Sequence, residues 1–581
     1  MRDATNKEDV MKLTRIHIHN YRSIIDVNID AHDFIMFVGA NNAGKSNCIN
    51  ALRCFYGDLL WTDKDFPKLG NQDEESWTEL SFDLSNDEWK ALDDKYKNDA
   101  LSHSLVLKRY FKGEKAKVKQ NNIYAVVDGD EQDKVFYAAK SLKAEKCGKI
   151  IYIPALTSPD DQLKTSGPSP LRDILNYILG RGIHQSSAYT QLMEAFNQLN
   201  NEASSSDGFL AEISRPLNDA LKPWNVEINL SVAPISPETI TKYLFNYSFS
   251  DQNLANTSFG LDRFGHGFQR AVIFELIQLA ANIQKKTRPQ ENRFDPDYTL
   301  FLFEEPEAFL HPAQQENMAY YLRDIAKKDG QQVIITSHSP VFVSKNCDDL
   351  GQICRLQKSG GVSAFYQLKP KDIQNLKEGG DLREALERYA NNSNIDQTLQ
   401  SKARELLYHS SNDDIAKQHE MFRFQLWLDS ERAAMFFADK VLLVEGDSEK
   451  ALFNYLLANK WHDLAKDRIY VVVAFGKFNF YRFINLFEAY GIQHGIILDS
   501  DNNKKVHVLI NHLIRDRKTS FTLAEPFEFD NNLETFLGLP VPHTGKPLKI
   551  LQALQDGTIT KDQIDELRKI FCTALAIQTD R

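Results

Sequence analysis

The sequence predicts an α/β protein of several units, and three observations carry that prediction. An apolar run, DFIMFVG, passes through a glycine-containing turn into the helical pattern NCINALRCF. Apolar strands and a helix alternate again between 299 and 368. A second strand-then-helix rhythm, the mark of a parallel sheet, starts with KVLLVEG at 440 and continues through IYVVVAF and GIILDSD.

With 581 residues the chain exceeds what one core holds, so three or four structural units are expected. A hydrophobic share of 42% and a charged share of 26% are those of a folded globular protein and exclude general disorder. The formal net charge of −11 excludes a protein that coats nucleic acid non-specifically, so any DNA site must be local. The densest basic stretch is KRYFKGEKAKVK at 108 to 119, and a solvated strand pair is favoured there over a DNA patch. No apolar run long enough to cross a membrane and no signal-peptide core occur, which predicts an unexported, cytoplasmic chain without membrane contact. Six cysteines without CxxC spacing are expected to be ordinary buried thiols.

Residues 1 to 10 are polar and read as a dispensable extension; LTRIHIHNYRSI then alternates like a half-buried strand. Leu171, Ile174, Leu175, Ile178 and Leu179 fall at helical spacing, as do Leu192, Met193, Phe196 and Leu199, before NNEASSSDG at 200 to 208 breaks the pattern. TLFLFEE, QQVIITS and GVSAFYQL are expected strands, with a helix starting near His311. The charged segment from 370 to 435, broken by NNSN at 391 to 394, reads as a helical connector. The expected layout is therefore 1–165 and 226–368 as two parts of one N-terminal α/β head, 166–225 as a helical insertion and candidate dimerisation arm, 369–435 as connector, and 436–581 as a C-terminal domain.

Gly39, Asn42, Gly44, Lys45 and Ser46 lie in GANNAGKS, which fits GxxxxGK[ST] between a strand and a helix. The glycines let backbone N–H groups approach phosphate, Lys45 reaches the β- and γ-phosphates, and Ser46 can hold Mg²⁺. ATP is the expected ligand. Glu304 and Glu305 end an apolar strand, where Glu304 is the expected metal-side acid and Glu305 the water-orienting base, with His338 placed to sense the γ-phosphate.

Taken together, IHIHNYRSI, GANNAGKS, FGHGFQR, FEEPEAFLHP and TSHSP resemble an SMC/RecF-type ABC ATPase. The resemblance implies paired heads, with a signature loop at Gly265, Gly267 and Gln269 of one capping ATP held by Lys45 of the other. Glu304 departs from the family, where Asp is common, and Lys45 is too close to Glu305 along the chain for a long coiled coil.

Toward the C-terminus, Glu445 and Glu449 flank Gly446 at a strand end, and GIILDSD puts Asp499 and Asp501 two residues apart, on one side of a strand by pleat alternation. Converging carboxylates of this kind form a hard-cation site for Mg²⁺ or Mn²⁺. The pattern resembles a Toprim domain, of Rossmann-like fold, and head, connector and Toprim in this order resemble the OLD family of ATP-dependent endonucleases across nearly the whole chain. That resemblance implies metal ligation by Glu445, Glu449, Asp499 and Asp501, with Glu445 alternatively a base, and two metals about 4 Å apart at the scissile phosphate. It adds Glu534, in NNLETFLGL, as a further ligand and Lys546, in preference to Lys549, as the lysine facing the phosphate. It also implies DNA as substrate, a homodimer or higher oligomer, and a role in anti-phage defence, alone or with a helicase or a reverse transcriptase and its small DNA. A topoisomerase or primase would need elements absent from the sequence. An ATP-gated DNA clamp or repair scaffold with an inactive Toprim domain is the alternative.

Overall fold

The computed structural model describes residues 10–578 except 72, 99–102, 118–119, 139–145, 156–185, 206–207, 231–239, 241–247, 252–256, 261–262, 266–267, 269–271, 273–274, 277–278, 280–293, 309, 344–346, 379, 393, 411–429, 502–504 and 541–544. The helix expected at Leu171–Leu179 and the signature residues Gly267 and Gln269 lie outside the described residues.

The first sheet is antiparallel, with Lys12–Tyr21 paired to Ile24–Asp30 on one side and Ser76–Asp83 on the other. Alternation in Lys12–Tyr21 buries Ile16 and Ile18, and Leu13 joins the same core across a register shift between Leu13 and Arg15. The second sheet is parallel through Lys149–Ile153, Thr299–Glu304, Gln331–Thr336, Phe34–Gly39 and Ile353–Ser359, in that spatial order, and Val362–Gln367 closes it antiparallel. Phe34–Gly39 and Gln331–Thr336 are buried along their whole length, the continuous apolar pattern of strands covered on both faces. The helix after the strand Thr299–Glu304 is Pro312–Ala326, capped by His311.

In the 187–221 region two helices, Ser187–Ser204 and Phe209–Leu221, leave Leu192, Leu199, Phe209, Ile213 and Leu217 exposed. The expected break at 200 comes late: the helix runs on to Ser204, because Asn, Glu, Ala and Ser are all tolerated in a last helical turn. The connector contributes Gly380–Asn391 and Gln397–Ser410, and their Ala385, Leu386, Tyr389, Ala390 and Ala403 are buried. It is thus no spacer but part of a core.

The C-terminal sheet is parallel, in the order Ile469–Val473, Lys440–Val444, His494–Asp499, Phe527–Phe529. Its first strand in sequence lies between two later ones, so strand order reverses beside it, and the crevice at the strands' C-terminal ends is where such sheets bind ligands. One continuous apolar core joins the head's parallel sheet, the connector helices and one face of this second sheet. At that junction Arg355, on a head strand, is buried, and among the described residues no carboxylate lies in hydrogen-bond reach of it. Its guanidinium donates to the carbonyls of Phe436, Ala438, Tyr490 and Gly491. Burial lowers its pKa to about 10. The Tyr490 hydroxyl returns the contact by donating to the Leu350 carbonyl at 2.6 Å. Five of the six cysteines, Cys48, Cys54, Cys147, Cys354 and Cys572, are free and buried. Among the described residues no helix is long and apolar enough to cross a membrane.

Candidate active sites in the head and the C-terminal domain

In the head, the strand Phe34–Gly39 ends at a glycine whose Cβ would lie 2.2 Å from the Leu356 carbonyl oxygen, so only glycine fits the close pass of the neighbouring strand. The turn then enters the helix Lys45–Tyr56. Ser46 and Asn42 are exposed at its mouth. Lys45 is folded back, its Nζ donating to the Gly39 and Ala40 carbonyls at 2.9 Å each. Burial lowers its pKa to about 8, against the opposing pull of Glu305 and Glu307. An ammonium held this way is desolvated, and an opposite charge beside it favours its charged form.

Glu304 receives a hydrogen bond from the Tyr152 hydroxyl at 2.9 Å. Glu305 sits just past the strand end with φ 46°, its amide donating to the Thr336 carbonyl and its carboxylate 3.6 Å from His338 Nε2. Burial, then Lys45, lowers the His338 pKa, so this imidazole is a neutral neighbour of Glu305 at pH 7. Glu307 escaped the sequence reading. Its carboxylate accepts from the His338 amide and burial raises its pKa, so it fixes the loop on which His338 stands. The FEEPE spacing was the only signal for it. Gly265 is described and exposed.

Within the basic stretch several charges have partners close by, while Lys119 lies outside the described residues. Lys108 and Lys115 reach Glu131, Lys112 reaches Glu74, and Arg109 is buried, donating to the Phe55 carbonyl. These four charges already have protein partners.

In the C-terminal domain, Lys440–Val444 delivers Glu445, and Glu449 follows in the first turn of the helix Asp447–Asn459, where its carboxylate accepts from the Gly446 amide at 3.1 Å. His494–Asp499 delivers Asp499, whose Oδ1 accepts from the Leu533 amide at 3.1 Å. Pleat alternation does not extend to Asp501. The strand stops at Asp499, and Asp501 lies in the left-handed region, φ 48°, with its amide donating to the Asn531 carbonyl. The two aspartates still converge, because the turn rather than the strand aims the second one. Glu534 is buried in the short helix Leu533–Phe536 and lies 3.0 Å from Lys546 Nζ, at the start of Lys546–Gln555. Burial first, then Glu445 and Glu534, raises Glu449 to about 7. Burial, then Glu449, Glu445, Asp501 and Glu534, raises Asp499 to about 8. Five acids therefore feel one another, with Lys546 at one end.

At the other end are two residues that sequence reasoning missed. Lys477, its side chain 1% exposed, puts its Nζ 2.9 Å from Asp501 and 3.8 Å from Glu445. His507 Nδ1 lies 2.8 Å from Asp501. Ligand atoms of Glu445, Asp501 and His507 lie within 4.8 Å of one another, close enough to share a cation.

A P-loop ATPase head whose core runs unbroken into a Toprim-type sheet bearing a carboxylate crevice is the class of protein that this fold and these sites define. Comparison with known proteins makes it specific. The AAA ATPase domain model matches residues 11–166 and 171–343, and the model "Overcoming lysogenization defect protein-like, TOPRIM domain" matches 436–501. The chain is 24% identical to the Old nuclease of Escherichia phage P2 over 504 residues, covering 84% of this chain and 77% of that one. It is 21% identical to Endonuclease GajA of Bacillus cereus over 527 residues, covering 85% and 76%, and 22% identical to the OLD nuclease of Thermus scotoductus over 376 residues, covering 61% and 64%. The chain belongs to the OLD family, in which an ATPase head is joined to a C-terminal Toprim domain. The Toprim match stops at Asp501, so Glu534 and Lys546 are tied to the site by their position in the structure alone.

Proposed function

We propose that this chain is an ATP-regulated DNA endonuclease that hydrolyses phosphodiester bonds at the Toprim crevice with two Mg²⁺ or Mn²⁺ ions. The observation that carries the reading is the convergence of Glu445, Glu449, Asp499, Asp501 and Glu534 at the C-terminal ends of the sheet's strands, with Lys546 paired to the last of them. Such a set fits hard dications: its donors are carboxylate oxygens, and the raised Glu449 and Asp499 show that the cluster resists full ionisation without added positive charge. Those five acids would hold the ions, which when bound polarise the phosphate and activate water. Lys546, 41% exposed, is accessible to a backbone phosphate and offers it a charged donor. Glu445 can take the proton that water loses as its oxygen replaces one ester oxygen on phosphorus. The names nuclease and endonuclease carried by similar proteins support the same chemistry.

In the head, Gly39, Gly44, Lys45 and Ser46 bind the ATP phosphates, Glu305 orients water and His338 steadies Glu305. A loop at Gly265, Gly267 and Gln269 supplied by a second copy completes this site, so the working unit is a homodimer or larger. The exposed apolar faces of Ser187–Ser204 and Phe209–Leu221 suit such an assembly. The biological role is anti-phage defence in the cytoplasm, alone or beside a helicase or a reverse transcriptase with its small DNA. Supercoiled plasmid incubated with Mg²⁺ or Mn²⁺, with and without ATP, tests the reading. Nicked and linear products that require the metal are expected. Persistent failure to cut any DNA, with either ion, nucleotide or a candidate partner, would favour a DNA clamp.

A further inference from the structure

Asp501 is the least conventionally held of the five acids. It has left the strand, and it stands in the left-handed backbone region, which aspartate adopts more readily than most residues. Two donors reach its carboxylate from different elements, and both take the same oxygen. Lys477 Nζ, from the turn before the helix Phe478–Ala489, lies 2.9 Å from Oδ2. His507 Nδ1, from the helix Lys505–Asp516, lies 2.8 Å from that oxygen.

Lys477 is also anchored: its ammonium donates to the Asp499 carbonyl, so it touches both ends of the Asp499–Asp501 turn. Its Nζ stands 3.8 Å from Glu445 Oε2. A buried ammonium with these neighbours has one set of partners, and two fixed donors on one oxygen set both the tilt and the plane of a carboxylate.

We propose that Lys477 and His507 are positioning residues that clamp Asp501 in its ligating orientation, with Lys477 also the internal counter-charge that keeps Glu445 and Asp501 together as anions. The proposal rests on the metal-site reading above and deepens it. Neither residue needs to touch DNA or metal to act. Partners of ligating groups elsewhere change metal affinity or activity by about 10–100-fold when removed.

The test is Mn²⁺ binding to the full chain without DNA, by calorimetry or by the electron paramagnetic resonance signal of free Mn²⁺, beside the metal dependence of plasmid cleavage. His507→Ala should weaken Mn²⁺ binding about tenfold and raise the metal needed for half-maximal cleavage in proportion, with the rate largely recovered at excess Mn²⁺. His507→Asn, which keeps a donor near the place of Nδ1, should restore most of the loss. Lys477→Met should show the same metal shift, with ATP binding serving as the control for folding. Wild-type protein that binds no Mn²⁺ would overturn the metal site itself. Wild-type binding with unchanged affinity in His507→Ala would overturn the clamp alone. A His507→Asn variant as poor as His507→Ala would also overturn it, since the imidazole would then be acting other than through Asp501.

Discussion

The molecule uses the same local device twice. Gly44 and Gly476, both in the left-handed region at φ 110° and 106°, each follow a parallel strand and precede a buried lysine at a helix start. The surroundings then diverge. Lys45 rests on two carbonyls of its own loop, with its pKa drawn down to about 8 by burial, so it is a cation whose lost hydration an arriving anion would compensate. Lys477 instead meets the Asp501 carboxylate and the Asp499 carbonyl, with Glu445 nearby. A glycine–lysine turn by itself does not specify a ligand. The charge already present at the end of the lysine separates the two: the first turn is suited to an incoming phosphate, the second to the cationic side of the proposed metal site.

The difference is sharpest in the head, where removing the lysine should remove binding itself. Lys45→Ala is expected to lower ATP affinity by on the order of a hundredfold, about 2.7 kcal/mol, measured by calorimetry. Unchanged affinity would break the parallel at once. Glu305→Gln should bind ATP normally and hydrolyse it about a hundredfold more slowly, measured as phosphate release.

At the Toprim end, Glu534→Ala should reduce cleavage by roughly tenfold, partly recovered by excess Mn²⁺, because it leaves four of the five acids in place. A loss as complete as that of the central aspartates would place Glu534 at the heart of the site.

Much of this was legible in the sequence, for definite reasons. GANNAGKS, FEEPE, EGDSE and LDSD each keep their chemistry within a few residues of an apolar strand, so pattern and placement come together. Lys477 and His507 were not legible, because what matters about them is contact across 24 and 6 residues of sequence with an aspartate whose direction a turn sets. In retrospect Gly476–Lys477 after IYVVVAF repeats the strand–glycine–lysine–helix order of the P-loop, which was a usable signal. Arg355 was illegible for another reason: its four acceptors are backbone carbonyls, which no sequence pattern displays.

Arg355 also joins the two regions being compared. It pairs in register with Val38, one residue before the P-loop glycine, while its acceptors lead into the strands that carry Glu445 and Asp499. Arg355→Met should destabilise the protein by about 2–4 kcal/mol through unsatisfied carbonyls, read by denaturant unfolding, and ATP should lose its influence on cleavage. Retained ATP control would mean that the coupling runs elsewhere.

The smallest expected effect concerns protons. Glu449 and Asp499 are raised to about 7 and about 8 from 4.5 and 3.8. The folded protein without metal therefore holds protons that the unfolded chain has lost. Its stability should fall as pH rises from about 4 toward 8. Metal binding should expel those protons and tighten across the same window. Calorimetry at pH 6.5 in two buffers of different ionisation enthalpy should detect the release, and at pH 9 it should vanish. Binding without proton release at pH 6.5 would contradict the raised values.

The central claim is that one chain carries two chemically separate sites, and a single paired measurement addresses it: plasmid cleavage with Mn²⁺ and ATP binding, each on wild type, Glu445→Ala and the Asp499→Ala/Asp501→Ala double variant. Both variants should lose cleavage by at least about a hundredfold while binding ATP as the wild type does. Cleavage at the wild-type rate by either variant would contradict the claim.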